Sequence, residues 1–169
     1  MAVDMFLKLT GVDGESTDSK HKNEIEILSF SWGITNTSKH SAPGRLSPAR
    51  KASLSDFSIM KRVDKSSPAL FVSSCDGSVF PEAHFTLRKA GGEQQDYYKI
   101  TLTDVLISAV APGGSTGSGQ EAFEQVSFAF AAAEISAAGP DGKFDTRRIC
   151  GGTLEEEPPP VIIESVKKE

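Results

Sequence analysis

The segment from Leu54 to Glu93 constrains the fold most, because one short helix there interrupts a run of strand patterns. Ser67 suits the helix N-cap, since its hydroxyl can accept amide hydrogens of the first turn. Pro68 suits the first helical position, and Gly77 suits the left-handed residue that ends a helix. The sequence therefore predicts a single short α-helix beside an otherwise β-rich domain.

Strands are predicted elsewhere because apolar residues alternate with polar ones over short stretches. The alternation is clear over residues 3–10, 24–35, 54–63, 83–87, 96–110 and 126–132. Beyond Ala137 the signal weakens, and residues 144–150 are a candidate for a closing edge strand. It slips by one residue near Leu28 and again near Thr103 or Asp104, and each slip predicts a β-bulge. Because bulged strands bend, we predict a mainly β fold with a strongly curved sheet or a barrel-like sandwich.

Two neighbouring segments are candidates for function. Residues 36–52 have almost no apolar side chains and are predicted to form a long extended loop, which is often a functional feature. This loop contains Lys39, His40, Arg45, Arg50 and Lys51. The strand before it is predicted to bury Phe30, Trp32 and Ile34 on one side. The opposite face is small and polar, and it is formed by Ser29, Ser31, Gly33 and Thr35.

Core positions are predicted from the same periodicities. Phe57, Ile59 and Val63 are expected to share the buried face of one strand. In the helix, Leu70, Phe71 and Cys75 are expected to face the core, which makes Cys75 a small buried hydrophobe rather than a reactive thiol. The second cysteine is Cys150, and two cysteines are fewer than a secreted disulfide scaffold normally has.

Sites for catalysis or metal binding are not predicted. The histidines His21, His40 and His84 are expected to be surface residues, and none has a zinc-like spacing to Cys, Asp or Glu. No nucleophile elbow, P-loop or dinucleotide-binding fingerprint is present. The carboxylate pairs at residues 13/15 and 24/26 lack apolar neighbours, so solvated charges are favoured over calcium ligands. We predict no enzyme activity, no cofactor and no metal.

The overall charge excludes some partners. The net charge is −5 and the pI is near 5.3, whereas binding to nucleic acid or an anionic membrane favours a basic face. No segment approaches the roughly 20 apolar residues of a membrane span. The N-terminal residues also lack a signal-peptide pattern. We expect a protein that is made in the cytoplasm and leaves the cell, if at all, without a signal peptide.

Several motifs occur in one order along the chain. They are MAVDMFLKL, G-E-S, EIEILSFSWG, D-x-S-x-x-K, VDKSSPAL, F-T-L-R-K-A-G-G-E and Y-x-x-I-T-L-x-D-V-L. In this order the chain closely resembles the haemolysin-coregulated protein (Hcp) family, the tube subunit of type VI secretion systems. The resemblance covers residues 1–133, and the tail with its EEEPPP segment departs from it.

The resemblance implies a small β-barrel of two curved antiparallel sheets with one flanking helix, placed here at residues 1–152. Residues 153–169 are expected to form an extended tail. It also implies hexameric rings that stack into a hollow tube, which a contractile sheath and spike deliver out of the cell. The resemblance further implies that small effector proteins travel in the ring lumen. The loop with the five residues named above is expected to stack rings, and Ser29, Ser31 and Gly33 are expected to face the lumen.

Two other interpretations stay open at the level of sequence. The chain could be a family member that acts chiefly as an effector adaptor, with the tail as its docking element. It could also be an unrelated ligand-binding β-barrel, which would be a monomer with an enclosed apolar pocket.

Overall fold

A computed structural model describes residues 3–42, 45–91, 94–114, 116, 121–150 and 162–165. Its elements in chain order are β1 (Val3–Leu9), β2 (Ile25–Glu26), β3 (Ser29–Ser31), β4 (Ile34–Ala42), β5 (Arg45–Leu54), β6 (Phe57–Arg62), α1 (Ser67–Asp76), β7 (Val79–Lys89), β8 (Asp96–Gly113), β9 (Phe123–Ala138), β10 (Phe144–Cys150) and β11 (Ile162–Ser165). The described part of the chain is therefore mainly β with one helix, as predicted.

Nine of these strands form one strongly curled antiparallel sheet that resembles a half-barrel. Its main path is β11-β10-β9-β8-β7-β1-β2, and β6 joins this path between β9 and β3. Strand β9 pairs with three other strands at different points along its length. Residues 123–128 of β9 pair with β6, residues 132–138 pair with β10, and β8 follows the opposite side. Strands β4 and β5 form a separate two-stranded sheet.

The segment predicted as one bulged strand, residues 24–35, is instead divided among β2, β3 and β4. The division occurs where the chain changes neighbours. The amide of Ile27 donates to the carbonyl oxygen of Met5 on β1 at 3.0 Å, and the amide of Leu28 donates to that of Met60 on β6 at 2.8 Å. The sequence slip near Leu28 therefore marks a change of hydrogen-bonding partner that links the two sides of the curl.

The second predicted bulge has a different form. Asp104 has a φ of 52°, but Thr103 and Val105 keep one register with both neighbouring strands. The register shifts in β8 lie elsewhere, between Ile107 and Ala109 against β9 and opposite Leu87 and Arg88 of β7. The slip in the sequence pattern near Asp104 thus records a left-handed residue rather than an inserted one.

The interior of the curl is filled by apolar side chains from most of its strands. Phe57 and Phe85 pack edge to face with ring centroids 5.2 Å apart. The residues predicted to alternate in β7 are buried as expected, and they are Ala83, Phe85 and Leu87. Burial of such side chains contributes about 1.5–3 kcal/mol each, so this core is the main source of stability.

Helix α1 lies over β8 and ends as predicted at Gly77, which has a φ of 70°. Its N-cap is Ser66 rather than Ser67, and no side chain caps the first turn. Leu70 is the one helix residue buried in the core. The prediction for Phe71 and Cys75 was wrong, because both are exposed, with Phe71 at 51%. A short helix that packs through one side chain leaves its other apolar residues in solvent.

The loop between β1 and β2 is held by a buried ion pair. Arg88 on β7 is 1% exposed, and its two terminal nitrogens donate to the Asp18 carboxylate at 2.9 and 2.5 Å. The Arg88 guanidinium beside it holds the pKa of Asp18 far below its usual range. His21 was predicted to be a surface residue but is buried, with its ring stacked on Phe6 at a centroid distance of 4.4 Å. Gly14 completes the packing, since a Cβ there would lie 2.3 Å from the carbonyl oxygen of Glu24.

Strand β10 was predicted and is confirmed, but it is not the edge of the sheet. Residues 147–150 of β10 pair with Ile162–Ser165, so the edge strand is β11. Among the described residues no helix has the length and apolar character needed to cross a membrane. The same residues contain no cluster of three His, Cys, Asp or Glu side chains that could hold a metal ion.

Candidate assembly surfaces

The five residues of the predicted loop lie on one β-hairpin. Lys39 and His40 belong to β4, and Arg45, Arg50 and Lys51 belong to β5. The predicted loop is thus two paired strands, with Ile34 opposite Leu54 and Lys39 opposite Ser47. The hairpin makes only marginal contact with other described elements. Because an isolated two-stranded hairpin is marginally stable in water, its position favours a role in contact with another molecule.

The base of the hairpin is fixed to the sheet by hydrogen bonds. The amide of Ser55 donates to the carbonyl oxygen of Gly33 at 2.9 Å, and the Ser55 hydroxyl accepts from the Gly33 amide at 3.0 Å. The Trp32 indole N–H donates to the carbonyl oxygen of Ser55 at 3.1 Å. Its ring packs edge-on against Phe57 and Phe130. These contacts tie the direction of the hairpin to the core.

The small polar residues before the hairpin lie on the outer surface of the sheet. Ser29, Ser31 and Gly33 are exposed, and Ser31 lies opposite Ser58 on β6. The polar residues continue onto β9, because the hydroxyl of Ser58 on β6 lies 2.8 Å from the hydroxyl of Ser127 on β9. A mainly polar surface therefore extends over three strands, and it also carries the exposed side chain of Met60 opposite Ser29. Sequence periodicity could not show this surface because it lacks strand order.

The other face of residues 29–34, which carries Phe30, Trp32 and Ile34, is only partly buried. The ring of Phe30 contacts Phe85 with centroids 4.7 Å apart, and Trp32 packs against the core. Ile34 was predicted to be buried, but it is 50% exposed. The reason is that the segment leaves the curled sheet at Gly33, so Ile34 already belongs to the hairpin.

Apolar residues are also exposed at several places on the surface. Those exposed around the end of β6 and on the helix side are Leu28, Met60, Val63, Phe71, Val72 and Val79. Exposed apolar residues mark contact with another protein only where they form one contiguous patch, and scattered ones are normal.

A buried lysine, which the sequence analysis missed, joins the helix to the sheet. Lys61 is 0% exposed. Its ammonium lies 2.5 Å from the Glu124 carboxylate, 2.8 Å from that of Asp64 and 3.2 Å from the Ser67 hydroxyl. Lys61 continues the inward alternation of Phe57 and Ile59. Sequence analysis assigned that face to Val63, which is exposed; strict period-two counting would have indicated Lys61.

A family model described as "Type VI secretion system effector, Hcp" matches residues 6–136. The chain belongs to the Hcp family. It is 43% identical over 136 residues to protein Hcp1 of Pseudomonas aeruginosa, which covers 80% of this chain and 83% of that protein. The resemblance seen in the sequence motifs is thereby confirmed.

Solved Hcp structures agree with this fold. Hcp1 from Salmonella typhimurium is 34% identical with a TM-score of 0.74, covering 89% of this chain and 95% of that chain. A type VI secretion system effector from Yersinia pestis is 32% identical with a TM-score of 0.72, covering 87% and 99% respectively. Hcp proteins are secreted structural proteins of the type VI system and not a family of enzymes.

Proposed function

We propose that this Hcp chain is the subunit of a type VI secretion inner tube, which forms hexameric rings that stack on one another. The observation that carries the proposal is the hairpin of β4 and β5. It forms its own two-stranded sheet, makes little contact with the other described elements and is fixed at its base. Such an element gains stability only when it packs against a neighbour. We assign ring stacking to it and to Lys39, His40, Arg45, Arg50 and Lys51.

We further propose that the small polar surface around Ser29, Ser31 and Gly33 lines the ring lumen. Small polar side chains offer little apolar area for lasting adhesion, which suits the passage of varied effector proteins. The contractile sheath and the spike are the other partners expected of a tube subunit. The protein is expected to be made in the cytoplasm and exported by the machine, with residues 1–152 as the tube domain and 153–169 as its tail.

The first prediction concerns assembly. Purified protein should have the mass of six copies of the 18.0 kDa chain in light scattering, and electron microscopy should show annular particles. Replacing residues 36–52 with a short Gly-Ser linker should leave the rings intact and abolish stacked tubes. The hairpin contributes almost nothing to the subunit's own sheet, so the subunit should still fold. A monomer at every concentration would contradict the proposal.

The second prediction places Ser31. With Cys75 and Cys150 replaced by serine, a Ser31→Cys variant can carry a thiol-reactive gold cluster. The density of the gold cluster should lie at the centre of annular particles if Ser31 faces the lumen. A matched label at Glu82→Cys, an exposed position on β7, tests whether the central density is specific. Gold density at the outer rim for Ser31→Cys would remove the lumen assignment.

The adaptor interpretation has less support. It requires a tail that is free to dock cargo, whereas the described part of the tail, Ile162–Ser165, is paired with β10 as a strand of the sheet. Deleting the residues after Gly152 separates the two interpretations: a tube subunit should still form rings, and loss of cargo binding alone would favour the adaptor.

A further inference from the structure

We infer that β11 is an exchanged strand: in the ring, the β11 of one copy pairs with the β10 of the neighbouring copy rather than with its own. The interaction surface is the edge of β10, and its occupant is the tail of a second copy of this chain. The inference rests on the proposed tube function, because a closed ring supplies the neighbour. Strand β11 lies beyond residues 6–136, which the family model matches.

The edge of β10 needs a strand to cover it. One side of β10 pairs with β9 along residues 144–150, and the other side pairs with β11 along residues 147–150. Without β11, the backbone groups of those four residues form an open sheet edge, which readily accepts a strand from another chain. The register places Ile163 opposite Ile149 and Glu164 opposite Arg148, which are favourable residue types to pair. Each copy therefore carries both a strand and the edge that it fits.

Strand β11 is held by this pairing alone within the described part of the chain, where it makes no more than marginal contact with any other element. The backbone hydrogen bonds to β10 are the same whether the strand comes from the same copy or from another. The free-energy difference between the two arrangements therefore comes from the linker and from the proximity of the neighbour.

The sequence between the two strands disfavours pairing within one chain. Strand β10 ends at Cys150 and β11 begins at Ile162, so residues 151–161 join them, whereas a hairpin loop usually has two to five residues. The segment EEEPPP at residues 155–160 combines like charges that repel one another with prolines that prefer the extended polyproline II geometry. At 3.1 Å per residue, six such residues span about 19 Å.

That span conflicts with linker ends that must be neighbours. Paired strands lie about 4.8 Å apart. The remaining five residues of the linker reach about 17–18 Å when fully extended, so they return the chain to its own β10 only when they are almost straight. The linker sequence therefore favours ends that lie apart.

The same linker is long enough to reach a neighbour. A compact domain of about 150 residues has a radius of gyration of about 15 Å, so equivalent points on touching copies are about 30–40 Å apart. Eleven residues reach about 36–40 Å. A head-to-tail exchange, in which each copy gives β11 to the next, closes on itself in a ring and leaves no β10 edge uncovered.

Disulfide trapping between two co-expressed chains tests the exchange. The register places Cys150 opposite Ile162, and residues directly opposite in an antiparallel pair are close enough for a disulfide. Both chains carry Cys75→Ser. The first keeps Cys150, and the second carries Cys150→Ser with Ile162→Cys, so each chain has one thiol. Oxidation of the mixed rings should link the first chain to the second.

The matched control moves the thiol of the first chain to Asp145, which lies on β10 outside the four residues that pair with β11. With Cys150→Ser and Asp145→Cys in the first chain, the yield of the linked pair should be roughly tenfold lower, because strand pairing raises the effective concentration of the two thiols. Rings in which the Cys150 yield does not exceed this control would overturn the exchange and leave the tube function standing. A wild-type chain that forms no rings would overturn the tube function itself.

A single chain that carries both thiols identifies the partner. The Cys75→Ser, Ile162→Cys variant should give a ladder of linked chains that ends at six on a denaturing gel without reductant. Links within one chain only would contradict the inference, as would linked species of more than six chains, which indicate exchange between rings.

The linker is tested in the same two-thiol chain. Replacing EEEPPP with GGSGGS keeps the length of the linker and removes its stiffness. Links within one chain should then rise several-fold relative to links between chains. An unchanged ratio would contradict the role assigned to the linker.

Truncation gives an answer that does not depend on engineered cysteines. Rings of a chain that ends at Gly152 should dissociate on dilution at a several-fold higher protein concentration than full-length rings, because they lose the strand pairing between copies. A chain that ends at Ser165 keeps β11 and should match the full-length protein. Equal dissociation of the full-length chain and the chain that ends at Gly152 would contradict the inference.

Discussion

Replacing Lys61 with methionine should lower the free energy of unfolding by about 3–5 kcal/mol, the cost of removing one partner from a buried ion pair. The Lys61 ammonium is fully buried and is 2.5 Å from the Glu124 carboxylate, which is itself 3% exposed. Methionine fills much of the same volume but leaves the two carboxylates of Glu124 and Asp64 without their cation. Because Ser67 also donates to Glu124 at 2.7 Å, the change should loosen the start of α1 as well.

Denaturant unfolding at one fixed protein concentration measures this effect, since association changes apparent stability. The matched control is Arg62→Met at the next position along β6. Arg62 forms an exposed ion pair with Glu121, and exposed pairs contribute only about 0–1 kcal/mol. Equal losses for Lys61→Met and Arg62→Met would show that the Lys61 network does not hold the helix to the sheet.

Replacing Arg88 with methionine should cost about 3 kcal/mol, the lower end of the range for a broken buried pair. The lower end applies because Asp18 keeps 18% of its side-chain surface exposed and can recover some hydration. The loop between β1 and β2 should open, and the packing of His21 on Phe6 should loosen with it. Lys89→Met, at the next position of β7, is the matched control and should have little effect.

The pH dependence of this loss follows from the direction of the Asp18 shift. Hydrogen bonds from Arg88 lower the Asp18 pKa in the folded protein below its ordinary value of 3.8. A lowered pKa contributes stability above the unfolded value, and that contribution is lost as the pH falls below it. The difference between wild type and Arg88→Met should therefore be greatest at neutral pH and shrink in acid below about pH 4. A difference that grows in acid would contradict the assignment.

Sequence periodicity predicted most strands because side-chain alternation depends on local backbone geometry. Ala83, Phe85 and Leu87 alternate in the sequence and are all buried. Gly77 was predicted to end the helix because a left-handed residue is a local requirement. Polar sequence hid the β4–β5 hairpin, since residues 36–52 have too few apolar positions to show a strand pattern.

Features that depend on contacts between distant parts of the chain could not be predicted from such local patterns. Burial of Lys61 depends on Glu124, which lies on β9 and is distant in sequence. His21 is buried because Arg88 and Asp18 hold its loop against β7. Strand order was the missing information for these features.

The sharing of β9 among three neighbours has a consequence for how the chain reaches this fold. The β7–β8 and β8–β9 pairings join consecutive strands, so each closes a short stretch of chain at low entropic cost. Pairing of β6 with β9 must instead enclose α1, β7 and β8. Distant pairings slow folding, so the early kinetic nucleus is expected in the β7–β9 meander, with β6 and the still more distant β1 added later.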